Sequence, residues 1–139
     1  MTVNLAFVLV LLAGASGAAA DGYVGRWKTP GNGGIVEISR CGGSLCGRLL
    51  TSDRLKREPD LRDARNKDAS LRERRIQGVT LLSGFTAGAA GWTNGRVYNP
   101  EDGGTYRASL TLKGPGVLEV KGCLTDFLCK TQRWTRLSG

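Results

Sequence analysis

The sequence predicts an all-β protein: an eight-stranded antiparallel up-and-down barrel with one charged loop or short helix at about residues 53–75. Three observations carry this expectation. First, residues 92–113 (WTNGRVYNPEDGGTYRASLTLK) place two strand-like runs around Asn99-Pro100-Glu101-Asp102-Gly103-Gly104, which supplies Pro for a turn's first corner and Gly where φ is positive. Second, in the later run Tyr106, Ala108, Leu110 and Leu112 alternate with Thr105, Arg107, Ser109, Thr111 and Lys113, the period of an antiparallel strand wet on one face. Third, eight such runs succeed one another, nearly all through short turns, and closing such a meander on itself removes both exposed edges. A barrel of this size is filled by side chains or holds one small ligand. A two-sheet sandwich is the runner-up.

Taken in order, residues 22–28 (GYVGRWK) read as a first strand with Tyr23, Gly25 and Trp27 on one face, and Thr29-Pro30-Gly31-Asn32-Gly33 turns the chain. Residues 35–41 and 45–51 pair around Gly42-Gly43-Ser44. From Asp53 to Arg75 there are nine basic and six acidic side chains in 23 residues, the composition of a solvated crossover or short surface helix. The rival reading of that segment is a lid or docking loop whose anion contacts are Arg72, Arg74 and Arg75. Strand character resumes at 78–85, breaks over 86–91, and continues at 91–98 and 104–113. Gly114-Pro115-Gly116 is a strong turn, and residues 117–123 and 129–137 give the last hairpin. Gly25, Gly47, Gly84, Gly95 and Gly122 fall inside strands, where sharp coiling or a close neighbour must need them.

Residues 1–20 have the pattern of a secretory signal: an apolar run from Leu5 to Ala13, too short to span a bilayer, then Ala18-Ala19-Ala20, although no Lys or Arg precedes the run. The expectation is an exported protein, periplasmic or secreted, with residues 21–139 as a single β-barrel domain and no transmembrane segment in the mature chain. The formal charge of +8 lies wholly in residues 21–139 and favours anionic partners. Nucleic acid is disfavoured by the compartment and by the lack of a stacking motif or recognition helix. Four cysteines in an exported chain imply disulfides. They permit three pairings, of which the local one, Cys41 with Cys46 and Cys123 with Cys129, each across its own turn, is preferred. Zinc is the rival use, but these spacings are wide for it and no His is present.

The lack of His also removes the usual general base, triad member and metal ligand. No phosphate loop, dinucleotide fingerprint or metal motif is visible, so the chain is expected not to be an enzyme, with no catalytic residue, metal or cofactor. Glu37, on a mainly apolar strand, is the one carboxylate with a prospect of burial, its expected fate being a satisfied hydrogen bond or a solvent-facing edge.

Several short motifs together resemble a bacterial exported family known as domain of unknown function 2147. They are Gly25-Arg26-Trp27, Leu45-Cys46-Gly47-Arg48, Asp63 with Asn66 and Asp68 before Leu71-Arg72, Gly78, Gly95-Arg96-Val97-Tyr98-Asn99-Pro100 with Gly103 and Tyr106, Gly122-Cys123, and Thr131-Gln132-Arg133-Trp134-Thr135-Arg136. Lys67, Asn99 and Gly104 depart from the family's usual Pro, Asp and Lys, which argues against an acid or base at the hairpin tip. The resemblance implies a lipocalin-like barrel and no settled activity. It also implies structural roles for Gly25 and Trp27, since a lipocalin's first-strand Gly-x-Trp closes the barrel base under an Arg of the last strand, here Arg136 or Arg133.

Alternation places Trp92, Asn94, Arg96 and Tyr98 on one face of their strand, and Gln132, Trp134 and Arg136 on one face of theirs. If both faces point inward they form an aromatic interior with fixed polar donors, and Arg96-x-Tyr98 resembles the carboxylate clamp of fatty-acid-binding barrels. The expected partner is a small amphipathic anion such as a lipid or fatty acid. The alternative is an envelope- or host-protein-interaction module with a filled barrel, binding for example an anionic envelope component.

Overall fold

The protein's structure, a computed structural model, describes residue 6 and residues 20–137. The predicted signal therefore lies almost wholly outside the described residues. Nine strands form one antiparallel sheet: β1 (Gly25–Lys28), β2 (Ile35–Cys41), β3 (Ser44–Thr51), β4 (Thr80–Ser83), β5 (Thr86–Ala87), β6 (Trp92–Asn99), β7 (Gly104–Leu112), β8 (Val117–Cys123) and β9 (Cys129–Arg136). Successive strands pair except β4 and β5, which lie end to end along β6, and β1 pairs with β9, so the sheet closes as an eight-stranded barrel.

Two predicted strands are shorter than alternation suggested. The first begins at Gly25, because Tyr23 N and Val24 N both donate to Ala20 O in a turn that swings the Tyr23 ring into the barrel's end. The fourth stops at Ser83 and resumes at Thr86–Ala87, a stretch expected to be part of a break. Between them Phe85 is buried where a Cβ on Gly95 would overlap its ring, which is the close approach that in-strand glycine permits.

The barrel is filled at one end. The fully buried Trp27, Ile38, Leu45, Leu82, Leu110 and Leu118 dominate a continuous core. Arg136 lies over the Trp27 ring at 4.2 Å and donates to the carbonyls of Pro115 (2.9 Å), Val24 (3.0 Å) and Gly22, tying the last strand to the chain entering the first. The guanidinium passes where a side chain on Gly25 would stand. Trp27 Nε1 donates to Tyr23 O at 2.9 Å, so the indole is satisfied without water.

The cysteines are paired Cys41–Cys46 and Cys123–Cys129, one across the β2–β3 turn at this base and one across the β8–β9 turn at the other end. Among the described residues no helix is long and apolar enough to cross a membrane.

The charged crossover is not the solvated strap its composition suggests. It opens with a short helix α1 (Asp53–Arg57), capped by Ser52 Oγ accepting from Leu55 N, and later makes one 3-10 turn, Ala69–Leu71. Leu55, Asp63, Asn66 and Ile76 are buried, and residues 63–67 pack on the β6–β7 tip. Gly103, at φ +73°, takes a left-handed conformation with its Cα against the Arg65 carbonyl, where a Cβ would overlap that oxygen.

Candidate functional site

The end of the barrel opposite Trp27 is hollow. A cavity of about 630 Å³ enters between the β1–β2 loop, α1, the crossover, the β6–β7 tip and the β8–β9 turn. Its inner wall carries Leu49, Leu81, Val97, Val120, Gln132 and Trp134. Trp134 is paired in register with the fully buried Leu118, so it marks the level at which packed interior gives way to open space. Inside, Trp134 Nε1 donates to Gln132 Oε1 at 3.1 Å, leaving the Gln132 amide nitrogen as a donor. The entrance is edged by Arg54, Arg62, Arg65 and Lys130, with Glu101 and Asp102 beside them. Asp102 is engaged locally, accepting from Gly104 N at 2.7 Å and from the Tyr106 hydroxyl at 2.5 Å, a bond that raises the Tyr106 pKa.

The predicted site residues do not all come together. On β9 the expected shared face holds: Gln132 and Trp134 line the cavity, while Arg136 on the same face is one level lower and committed to Trp27. On β6 the expected shared face is split. Trp92 stands opposite Leu110 and Gly95 opposite Ala108, so β6 carries one extra residue between them, a bulge with Asn94 at φ 56°. Beyond it, Gly95 and Val97 take the inward positions, and Arg96 and Tyr98 face the other way with Arg107 and Thr105, although Tyr98, covered by the crossover, still borders the cavity entrance. Trp92 therefore belongs to the packed base, its ring edge-on to Tyr23 at 6.4 Å, while Asn94 and Arg96 are exposed on the barrel's outside. The proposed Arg96–Tyr98 clamp is corrected accordingly, since the Arg96 guanidinium does not enter the interior.

Tyr98 is buried by the crossover. Its hydroxyl donates to Asp63 Oδ1, Arg74 Nε lies 2.8 Å and Asn66 Nδ2 2.9 Å from Asp63 Oδ2, and the Arg74 guanidinium sits 5.5 Å from the Tyr98 ring centroid. Asp63 is 1 % exposed. Burial pushes its carboxyl upward, but the hydrogen bonds from Asn66, Tyr98 and Arg74, with the Arg74 charge, outweigh that and hold it below the ordinary value. The Tyr98 phenol is pushed up to about 12, first by burial and then by its bond to the Asp63 carboxylate. This cluster fastens the crossover to the barrel wall and so fixes one side of the cavity entrance.

The sequence reading missed that role because fifteen charges in 23 residues look alike until Tyr98 and Arg74 are seen around one of them. Arg72, Arg74 and Arg75, candidates for anion contacts, bond within the segment instead: to Asn66 O, to Asp63, and to Pro59 O and Asp60. Glu37 is partly exposed and ion-paired with Arg26 at 3.3 Å, as a solvent-facing edge requires.

A closed antiparallel meander, packed at one end and hollow at the other, is a barrel of lipocalin type. The chain belongs to the family described as an uncharacterized protein conserved in bacteria, DUF2147, whose profile matches residues 25–136. Among solved structures it is similar to protein HP1028 of Helicobacter pylori, reported to belong to the lipocalin family. The two share 25 % identity over 83 % of this chain and 82 % of that one, with a TM-score of 0.71. Comparison with curated proteins finds no match.

Proposed function

We propose that this is an exported binding protein that carries one small amphipathic anion, a lipid or fatty acid, in the hollow end of its barrel. The observation that carries the reading is the cavity itself: about 630 Å³, within the range of roughly 300–1,000 Å³ typical of ligand sites, apolar inside and cationic at its entrance. An acyl chain would lie against Leu49, Val97, Val120 and Trp134, and an acidic headgroup would stay at the rim beside Arg54, Arg62, Arg65 and Lys130. This replaces an internal clamp with a rim contact, where a charged headgroup keeps part of its hydration. Likeness to a lipocalin-family protein supports a ligand-binding barrel, and two disulfides accord with export.

The reading is non-enzymatic, because the buried carboxylate Asp63 has its oxygens taken by Asn66, Tyr98 and Arg74 and meets no open space. The alternative of a filled barrel acting only through its surface fits the base and not the mouth.

Denaturing protein purified from its native compartment and identifying what it releases by mass spectrometry tests the proposal. An amphipathic acid at close to one per chain is expected, whereas no stoichiometric small molecule, together with no thermal shift on adding fatty acids, would overturn it.

A further inference from the structure

We propose that the β8–β9 turn, residues 124–128, is a membrane-docking tip that seats the cavity mouth on an anionic lipid surface. Phe127 is 98 % exposed, Leu124 67 % and Leu128 62 %, and among the described residues these are the large apolar side chains left in water. Scattered exposed apolar residues are ordinary, but three gathered on one tip mark a contact surface.

The backbone holds them out. Cys123–Cys129 clamps the stem, Leu124 N donates to Leu128 O at 2.9 Å, and Phe127 N and Leu128 N donate to Thr125 Oγ1 at 3.4 and 3.1 Å. Leu124 and Leu128 also line the cavity, so apolar surface runs from the tip to the interior.

Charge selects the occupant. Arg62, Arg65 and Lys130 edge the same entrance, and among the described residues none of the three has a carboxylate within ion-pairing distance. The acid on the turn, Asp126, is already paired with Arg107 at 3.0 Å. Arg62 and Arg65 each donate to one backbone carbonyl, of Glu73 at 3.1 Å and Glu101 at 2.6 Å, which leaves their charge unneutralised. An apolar tip beside such cations fits a bilayer with anionic headgroups, where ring and aliphatic groups enter the acyl boundary and the cations meet phosphates. A second copy of the chain fits less well, since it brings another body of charge +8 to a cationic face. Passage of a lipid from leaflet to cavity along this route rests on the carrier reading; docking does not.

The test uses the disulfide-bonded protein and lipid vesicles with no added cargo. Trp27, Trp92 and Trp134 are all buried, so Phe127→Trp adds one exposed indole at the tip. Its emission is expected to shift to the blue with vesicles containing phosphatidylglycerol and to stay unchanged with phosphatidylcholine alone. Phe127→Ser should lower partitioning about tenfold or more, the effect of withholding one phenyl ring from the acyl boundary, while its melting temperature matches the parent. Because the apolar N-terminal run is the same in both proteins, the difference reports the turn.

No blue shift on anionic vesicles, or equal partitioning of parent and Phe127→Ser, would overturn the proposal. So would vesicle-free self-association that Phe127→Ser abolishes, which would make a second copy the occupant. A protein that docks but takes up no lipid would sink the carrier reading alone.

Discussion

At the base of the barrel Trp27, Leu110 and Leu118 fill the bore and Arg136 seals it with a stacked guanidinium and three carbonyl contacts. At the mouth Val97 of β6, Gly122 of β8 and Gln132 of β9 leave the bore open, and the wall is completed by a crossover instead of a plug. The base draws its stability from buried apolar area and the mouth from polar fastenings: the Asp63–Tyr98–Arg74 cluster on one side and a disulfide on the other. One consequence is that substitutions at the two ends should differ in kind. Emptying the base should lower stability most, breaking the mouth's fastenings should lower it less, and substitutions of the cavity-lining side chains at the mouth should alter binding with little effect on melting.

The sharpest break in that contrast comes from Trp27→Ala, expected to cost about 4 kcal/mol by emptying the packed end and stranding Arg136, as read by denaturant unfolding. Asp63→Asn should cost about 2–3 kcal/mol near neutral pH, since it weakens the bonds from Tyr98 and Arg74 at a buried site. Its pH dependence follows from the sign of the shift. The folded carboxyl lies below its ordinary value of 3.8, so its contribution is complete above that pH and is lost as pH falls through the lower folded value. The stability gap between parent and Asp63→Asn should therefore be widest near neutrality and narrow below about pH 4; a gap that stays constant into acid would show that Asp63 is not ionised in the fold. Replacing Cys123 and Cys129 together by Ser should cost about 2 kcal/mol, the entropy of a short closed loop, in thermal melts. Lys56→Ala, on the exposed side of α1, should change stability by less than about 0.5 kcal/mol.

The strands and turns were legible because period-two alternation and Gly/Pro punctuation are local signals, as at Tyr106-x-Ala108-x-Leu110 and Gly114-Pro115-Gly116. The pairing of each cysteine across its own turn was legible for the same reason. The direction of β6 was not. One bulged residue at Asn94 moves Arg96 and Tyr98 to the other face while the letters still alternate, and the available hint was an Asn next to a Gly, residue types that tolerate positive φ. The burial of Asp63 was equally hidden, because two of its three partners, Arg74 and Tyr98, are eleven and thirty-five residues away. The exposed tip had a weak signal, Leu124 with Phe127 and Leu128 inside a loop closed by cysteines, which alternation cannot direct inward.

The central claim, that the mouth end is hollow and takes an amphipathic acid, is tested most directly by tryptophan fluorescence. Of the three indoles, Trp134 lines the cavity while Trp27 and Trp92 belong to the packed base. Titration with a long-chain fatty acid should change emission until one ligand is bound per chain, and the response should vanish in Trp134→Phe and persist in Trp92→Phe. A flat titration, or a response carried by Trp92, would contradict the account.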